Sequence, residues 1–125
     1  MTHTEWIALL DTFAQAWNRH DADAVVSMMT EDAVFETFSG PEPYGARHVG
    51  RDAVRAAVSA VFAAFPDASW DDACHVVSGD RGFSEWTFRG TDRNGNRLEV
   101  RGVDVFTLRN GRIARKDTFR KTRTR

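Results

Sequence analysis

The chain has little to staple it and little to draw it to a charged surface. Its one cysteine, Cys74, cannot close an internal disulfide, which excludes a cystine-stapled fold and fits a reducing compartment. As a lone strand residue, that cysteine is expected to pack rather than to act as a nucleophile. No window reaches the roughly 18 consecutive apolar residues of a membrane span, and the opening MTHTEWIALL has no basic segment ahead of an apolar run. Charge of one sign is equally scarce: 17 basic against 18 acidic residues leave a net −1, no field for nucleic acid or an anionic membrane. The expected setting is cytoplasmic, with a small molecule as partner and neither nucleic acid nor membrane. The basic end RKTRTR has no aromatic platform and reads as a charged edge or a frayed end. Four scattered histidines lack ligand spacing, and there is no phosphate-cradling glycine loop, so neither a metal nor another cofactor is expected.

What the chain does have is pattern. Its 125 residues suffice for one hydrophobic core, and a single domain over 1–125 is expected. Thr2 and Glu5 have capping-box spacing, and Trp6, Leu9, Leu10, Phe13 and Trp17 then recur at helical intervals. Asp21 is a good N-cap for a short second helix. After the strand AVFETF, the stretch SGPEPYGARHVG reads as a loop carrying Tyr44 and His48, either a lid over a pocket mouth or simply exposed. A third helix follows, with Val54, Val58, Val61, Phe62 and Phe65 at core spacing and Pro66 at its end. From Ser69 the period falls to two, and SGDR, RNGN and RNGR divide four strands. Helices first and a meander second is an α+β order.

The turns set a register. With Asn94-Gly95 and Asn110-Gly111 as two-residue loops, Glu85 falls opposite Asp104, and Asp104 opposite Asp117. That row shares its computed face with Phe83, Phe106, Leu108, Ile113 and Phe119, so apolar neighbours and like charges both disfavour ionisation. Either the row performs acid–base chemistry or Arg115 ties it into a structural ion-pair network. The other computed face carries Trp86, Phe88, Val103 and Val105 with Arg101, Lys116 and Arg120, and a homodimer is expected to cover it. His75 is expected on that face too, and His20 is expected to satisfy backbone carbonyls. One bulged residue would break the acid row.

The motifs WNRHDADAVVSMMTEDAVFE, GRDAVRAAV, FPDASW, SEWTFRGTDRNG and GVDVFTLRNGRI occur in an order that resembles the nuclear-transport-factor-two-like superfamily, most of all its SnoaL-like branch. The resemblance implies a cone-shaped, cystatin-like α+β roll, in which helices pack on a strongly curved antiparallel or mixed sheet around a deep pocket, often dimerised through the outer sheet face. That superfamily holds polyketide cyclases, ketosteroid isomerases, epoxide hydrolases, dehydratases and non-catalytic binding or assembly domains. Asp104 is similar to the protonated hydrogen-bonding aspartate of ketosteroid isomerase, but the isomerase's base and tyrosine positions fall near Thr37 and Phe13, which cannot serve. Asp117 and Asp104 resemble the facing pair of the SnoaL-like cyclases, and Asp104, Arg115 and Asp117 resemble, more loosely, an epoxide hydrolase triad. The implied reading is a cofactor-free cyclase or isomerase on an apolar carbonyl compound, with Asp117 as base, Asp104 as donor to the enolate and Glu85 as third acid. Arg115, Phe106, Phe119, Phe83, Trp17, Tyr44 and His48 are the expected substrate contacts. A non-catalytic small-molecule-binding domain and an epoxide hydrolase are the alternatives.

Overall fold

In the computed structural model, which describes residues 1–124, three helices lie on one six-stranded sheet. The elements are α1 (His3–Asn18), α2 (Ala22–Ser27), β1 (Met29–Glu36), β2 (Arg47–Val49), α3 (Arg51–Ala64), β3 (Ser69–Ser78), β4 (Arg81–Thr91), β5 (Arg97–Arg109) and β6 (Arg112–Arg120). The strand order is β2-β1-β6-β5-β4-β3. The β1–β6 pair is parallel and every other pair antiparallel, so of the two arrangements expected the sheet is the mixed one. The segment expected as a continuous loop holds β2, which pairs Arg47, His48 and Val49 with β1.

Local chemistry starts the helices where expected. The Thr2 hydroxyl accepts from Glu5 N–H while the Glu5 carboxylate accepts from Thr2 N–H, and Asp21 accepts from Ala24 N–H at 3.0 Å. Two side chains then tie the end of α1 to the start of β3. Asn18 exchanges two hydrogen bonds with the Trp70 backbone, and His20 Nε2 lies 2.8 Å from the Ala68 carbonyl. One face of α1 buries Leu10, Phe13 and Trp17 against Phe106, Leu108 and Ile113 of the sheet, with Val54 and Val58 of α3 closing the other side. Cys74, expected to pack, is exposed instead.

The register departs from the expected one in both hairpins, by one residue each. At Asn110-Gly111 both residues have positive φ, 53° and 73°, and the two-residue turn forms as expected, pairing Arg109 with Arg112 and Leu108 with Ile113. Beyond it Ala114 is an extra residue on β6, so Thr107 faces Arg115 and Asp104 faces Thr118 rather than Asp117. This bulge lets the consecutive Ile113 and Ala114 both bury. At Asn94-Gly95 the loop is longer. The Asp92 carboxylate accepts from the amides of Asn94 and Asn96, both at 2.9 Å, and the strands begin pairing at Thr91 and Arg97. Ser84 therefore faces Asp104, and Glu85 faces Val103.

Because side chains alternate, each slip turns a strand over. Asp104 keeps company with Ser84, Trp86, Lys116 and Thr118 on the inner, helix-covered face. Glu85, Phe83, Asp117 and Phe119 move to the outer face with Val103 and Val105. His75 is also corrected: it pairs with Ser84 and its Nδ1 lies 2.6 Å from the Ser84 hydroxyl, on the same face as Asp104.

Candidate functional site

A cavity of about 340 Å³ opens between α3 and the inner face of the sheet. Its walls are aromatic and aliphatic, with Trp17, Phe65, Trp70 and Phe88 prominent, and its polar groups are Thr37, His48, Lys116, Thr118 and Arg120. No carboxylate lines it among the described residues. Volume, apolar walls and a few convergent polar groups are the usual properties of a small-molecule site.

At the inner end lies a closed polar network. Lys116 Nζ donates to Asp104 Oδ1 at 2.8 Å and to Thr118 Oγ1 at 2.7 Å, while the Thr118 hydroxyl donates to the same Oδ1 at 2.6 Å. Asp104 Oδ2 accepts from the Trp86 indole at 3.0 Å. The Lys116 ammonium also sits over the rings of Trp17 and Phe35, 4.4 and 4.7 Å from their centroids. Burial pulls the Lys116 pKa below its ordinary value, partly offset by the charge of Asp104 and its hydrogen bond. A lysine so placed gives up its proton more readily than one in water. The Trp17 indole N–H, buried nearby, has no acceptor among the described residues.

The sheet explains why these groups meet. Lys116 and Thr118 are alternate residues of β6 on the inner face, Asp104 pairs directly with Thr118, and Trp86 pairs with Gly102 one row further out. Gly102 is what admits the indole: a Cβ there would lie 2.4 Å from Trp86 Cη2 and 2.7 Å from the Phe119 carbonyl oxygen.

Of the residues singled out from sequence, Asp104, Phe106, Trp17 and His48 lie on this side of the sheet. Trp17 and His48 line the cavity; Asp104 lies behind Lys116, bordering with Phe106 a second void of only about 20 Å³. The others are placed elsewhere. Asp117 lies on the outer face beside Glu36, and burial, then the Glu36 charge, raises its pKa. Arg115 also turns outward, where it and Arg47 neutralise the fully buried Glu36. Arg115 and Asp117 are therefore on the far side of the sheet from Asp104, and the triad expected for epoxide opening is not assembled. Glu85 is half-exposed with Arg101 at 3.9 Å, and Phe119 is 52% exposed. Phe83 is likewise on the outer face, and Tyr44 stacks under the Arg47 guanidinium at 3.7 Å from its ring centroid. Sequence reasoning missed Lys116, Thr118, Trp86 and Arg120 because the slipped register put the first, third and fourth outside.

A family model described as a SnoaL-like domain matches residues 10–116. No curated protein matches the chain. Among solved structures, a provisionally named polyketide cyclase from Xanthomonas campestris pv. campestris superposes with a TM-score of 0.83 at 23% identity, over 94% of this chain and 90% of its own. An NTF2-like protein of unknown function from Mesorhizobium loti gives 0.78 at 30% identity, over 96% and 93%. A hypothetical protein with a ketosteroid isomerase-like fold from Catenulispora acidiphila, in complex with trimethylamine, gives 0.76 at 16% identity, over 89% and 83%.

Proposed function

The chain belongs to the SnoaL-like domain family, and on that premise we propose that its cavity is a small-molecule site where Lys116 carries out cofactor-free proton transfer on an apolar, carbonyl-bearing substrate. The observation that carries this reading is the Lys116–Asp104–Thr118 network at the inner end of a mostly apolar cavity. In its amine form Lys116 takes a proton from the carbon next to the carbonyl, becomes an ammonium held by the Asp104 carboxylate, and returns the proton at another carbon or at oxygen. Asp104 is thus a positioning residue. The Trp17 indole N–H, which has no acceptor among the described residues, is the available donor for the enolate oxygen. A cyclase or isomerase of the SnoaL-like kind would use these steps.

The probe is 2-tetralone, an aromatic ketone with exchangeable protons beside its carbonyl. In D2O the wild-type protein is expected to speed their exchange well beyond buffer, with Lys116→Met and Asp104→Asn losing about 100-fold or more of that acceleration. Equal rates from the wild type and both variants would contradict the proposal. A second reading, a non-catalytic binding domain, is favoured by one observation: both Asp104 oxygens are already engaged by protein donors. Tetralone binding without exchange would select it.

We further propose a homodimer through the outer face, where exposed Phe119 lies beside Val103 with Phe83 and Val105 adjoining. Sedimentation equilibrium is expected to return twice the chain mass for the wild type and one chain mass for Phe119→Asp. A monomeric wild type at high micromolar concentration would rule it out.

A further inference from the structure

Arg120, the last residue of β6, lines the cavity and is half-buried. It is stacked between rings, its guanidinium carbon 3.8 Å from the Phe38 centroid and 5.0 Å from that of Phe88. Among the described residues it makes no hydrogen bond and no ion pair, whereas the other cavity cation, Lys116, is matched by Asp104. Stacking occupies the faces of a guanidinium and leaves its N–H donors, which lie in the plane, free to form a paired, bidentate contact. Taking that cation part-way out of water without an anion is unfavourable, so the position makes physical sense with an anionic partner that arrives from outside the chain.

We infer that Arg120 anchors an anionic group, a carboxylate or a group of similar charge, on a flat apolar ligand whose body lies among Phe65, Trp70 and Phe88. This rests on the reading of the cavity as a small-molecule site and adds the substrate's charge class: an aromatic or polyunsaturated acid. The acid group is held near Arg120 and the reacting carbon is carried toward Lys116. The burial of Arg120 lowers its pKa, with no acidic neighbour to raise it, as expected for a cation whose partner is not part of the protein.

The test uses a matched pair of probes, 2-naphthoate and 2-naphthamide, which share a body and differ in charge. Isothermal titration calorimetry on the full chain at neutral pH is expected to show naphthoate binding at least tenfold tighter. Arg120→Met, which keeps the aliphatic stem, and Arg120→Gln, which keeps in-plane donors, should both erase that preference while changing naphthamide affinity less than twofold. Arg120→Lys should restore part of it. Circular dichroism and thermal melting confirm that each variant is folded. Equal wild-type affinities, or a preference that survives in Arg120→Met and is lost in Lys116→Met, overturn the anchor and leave the cavity reading intact. Failure of both probes to bind the wild type contradicts the cavity reading and this inference with it.

Discussion

Lys116→Met is expected to lower the unfolding free energy by about 3–5 kcal/mol. The lysine side chain is 5% exposed and its partner Asp104 9% exposed, so removing the ammonium leaves a carboxylate in an apolar interior with only Thr118 and Trp86 as donors. The loss therefore comes from the stranded partner more than from the attraction itself. Lys116→Met with Asp104→Asn should recover a substantial part of it, because the amide is neutral and still offers an oxygen to Trp86. Urea titration at neutral pH measures both. If the double variant is as unstable as the sum of the two singles, the pair is not coupled as described.

The pH dependence has a definite sign. Burial depresses the folded-state pKa of Lys116 below its ordinary 10.5. Between the folded value and 10.5 the unfolded chain binds a proton that the native chain has released, so the lysine's contribution to stability rises with pH across that window. Below the folded value both states carry the proton and the dependence vanishes. The stability deficit of Lys116→Met is accordingly expected to widen as pH rises toward 10.5.

Gly102→Ala is the second large expected effect. A methyl group there meets Trp86 Cη2 at 2.4 Å, Trp86 Cζ3 at 2.5 Å and the Phe119 carbonyl at 2.7 Å. The backbone oxygen cannot retreat without breaking the ladder, and the indole cannot retreat without leaving Asp104. Overpacking of this kind costs about 3 kcal/mol, and the buried acceptor it strands adds about 1–3 kcal/mol. Trp86 should also report the change directly through its fluorescence. Combining Gly102→Ala with Trp86→Phe removes the ring atoms that clash, so the pair is expected to be less unstable than the two single losses added together. Simple additivity would mean that the indole does not lie across Gly102.

Much of the fold was legible because it rests on local signals. The capping box at Thr2, the cap at Asp21, the break at Pro66 and the turn at Asn110-Gly111 each act within a few residues, and the structure has them where the sequence pointed. The site depended on counting residues across two hairpins, and there two local details prevailed. Asp92 captures loop amides and lengthens one hairpin, and burial of both Ile113 and Ala114 adds a bulge to the other. Each moved one strand by one residue, and one residue exchanges the faces.

A signal that could have found the inner face was present in β4. Gly82, Ser84, Trp86, Phe88 and Gly90 carry no charge, whereas Arg81, Phe83, Glu85, Thr87 and Arg89 include three charged side chains. A helix-covered face accepts the first set and not the second. Applied before the turn arithmetic, that comparison places Trp86 inside, Ser84 with it, and Asp104 beside them. No comparable signal marked Lys116, since a lysine between Arg115 and Asp117 reads as solvated until its partner is known.

The most direct measurement is an NMR titration of the Lys116 side-chain nitrogen, assigned by its loss in Lys116→Met. A midpoint below the ordinary 10.5, lowered further in Asp104→Asn where the opposing charge is gone, is the predicted result. A midpoint at 10.5 that ignores the state of Asp104 would contradict the central claim, because such a lysine would be solvated and neither buried beside the cavity nor fit to act as its base.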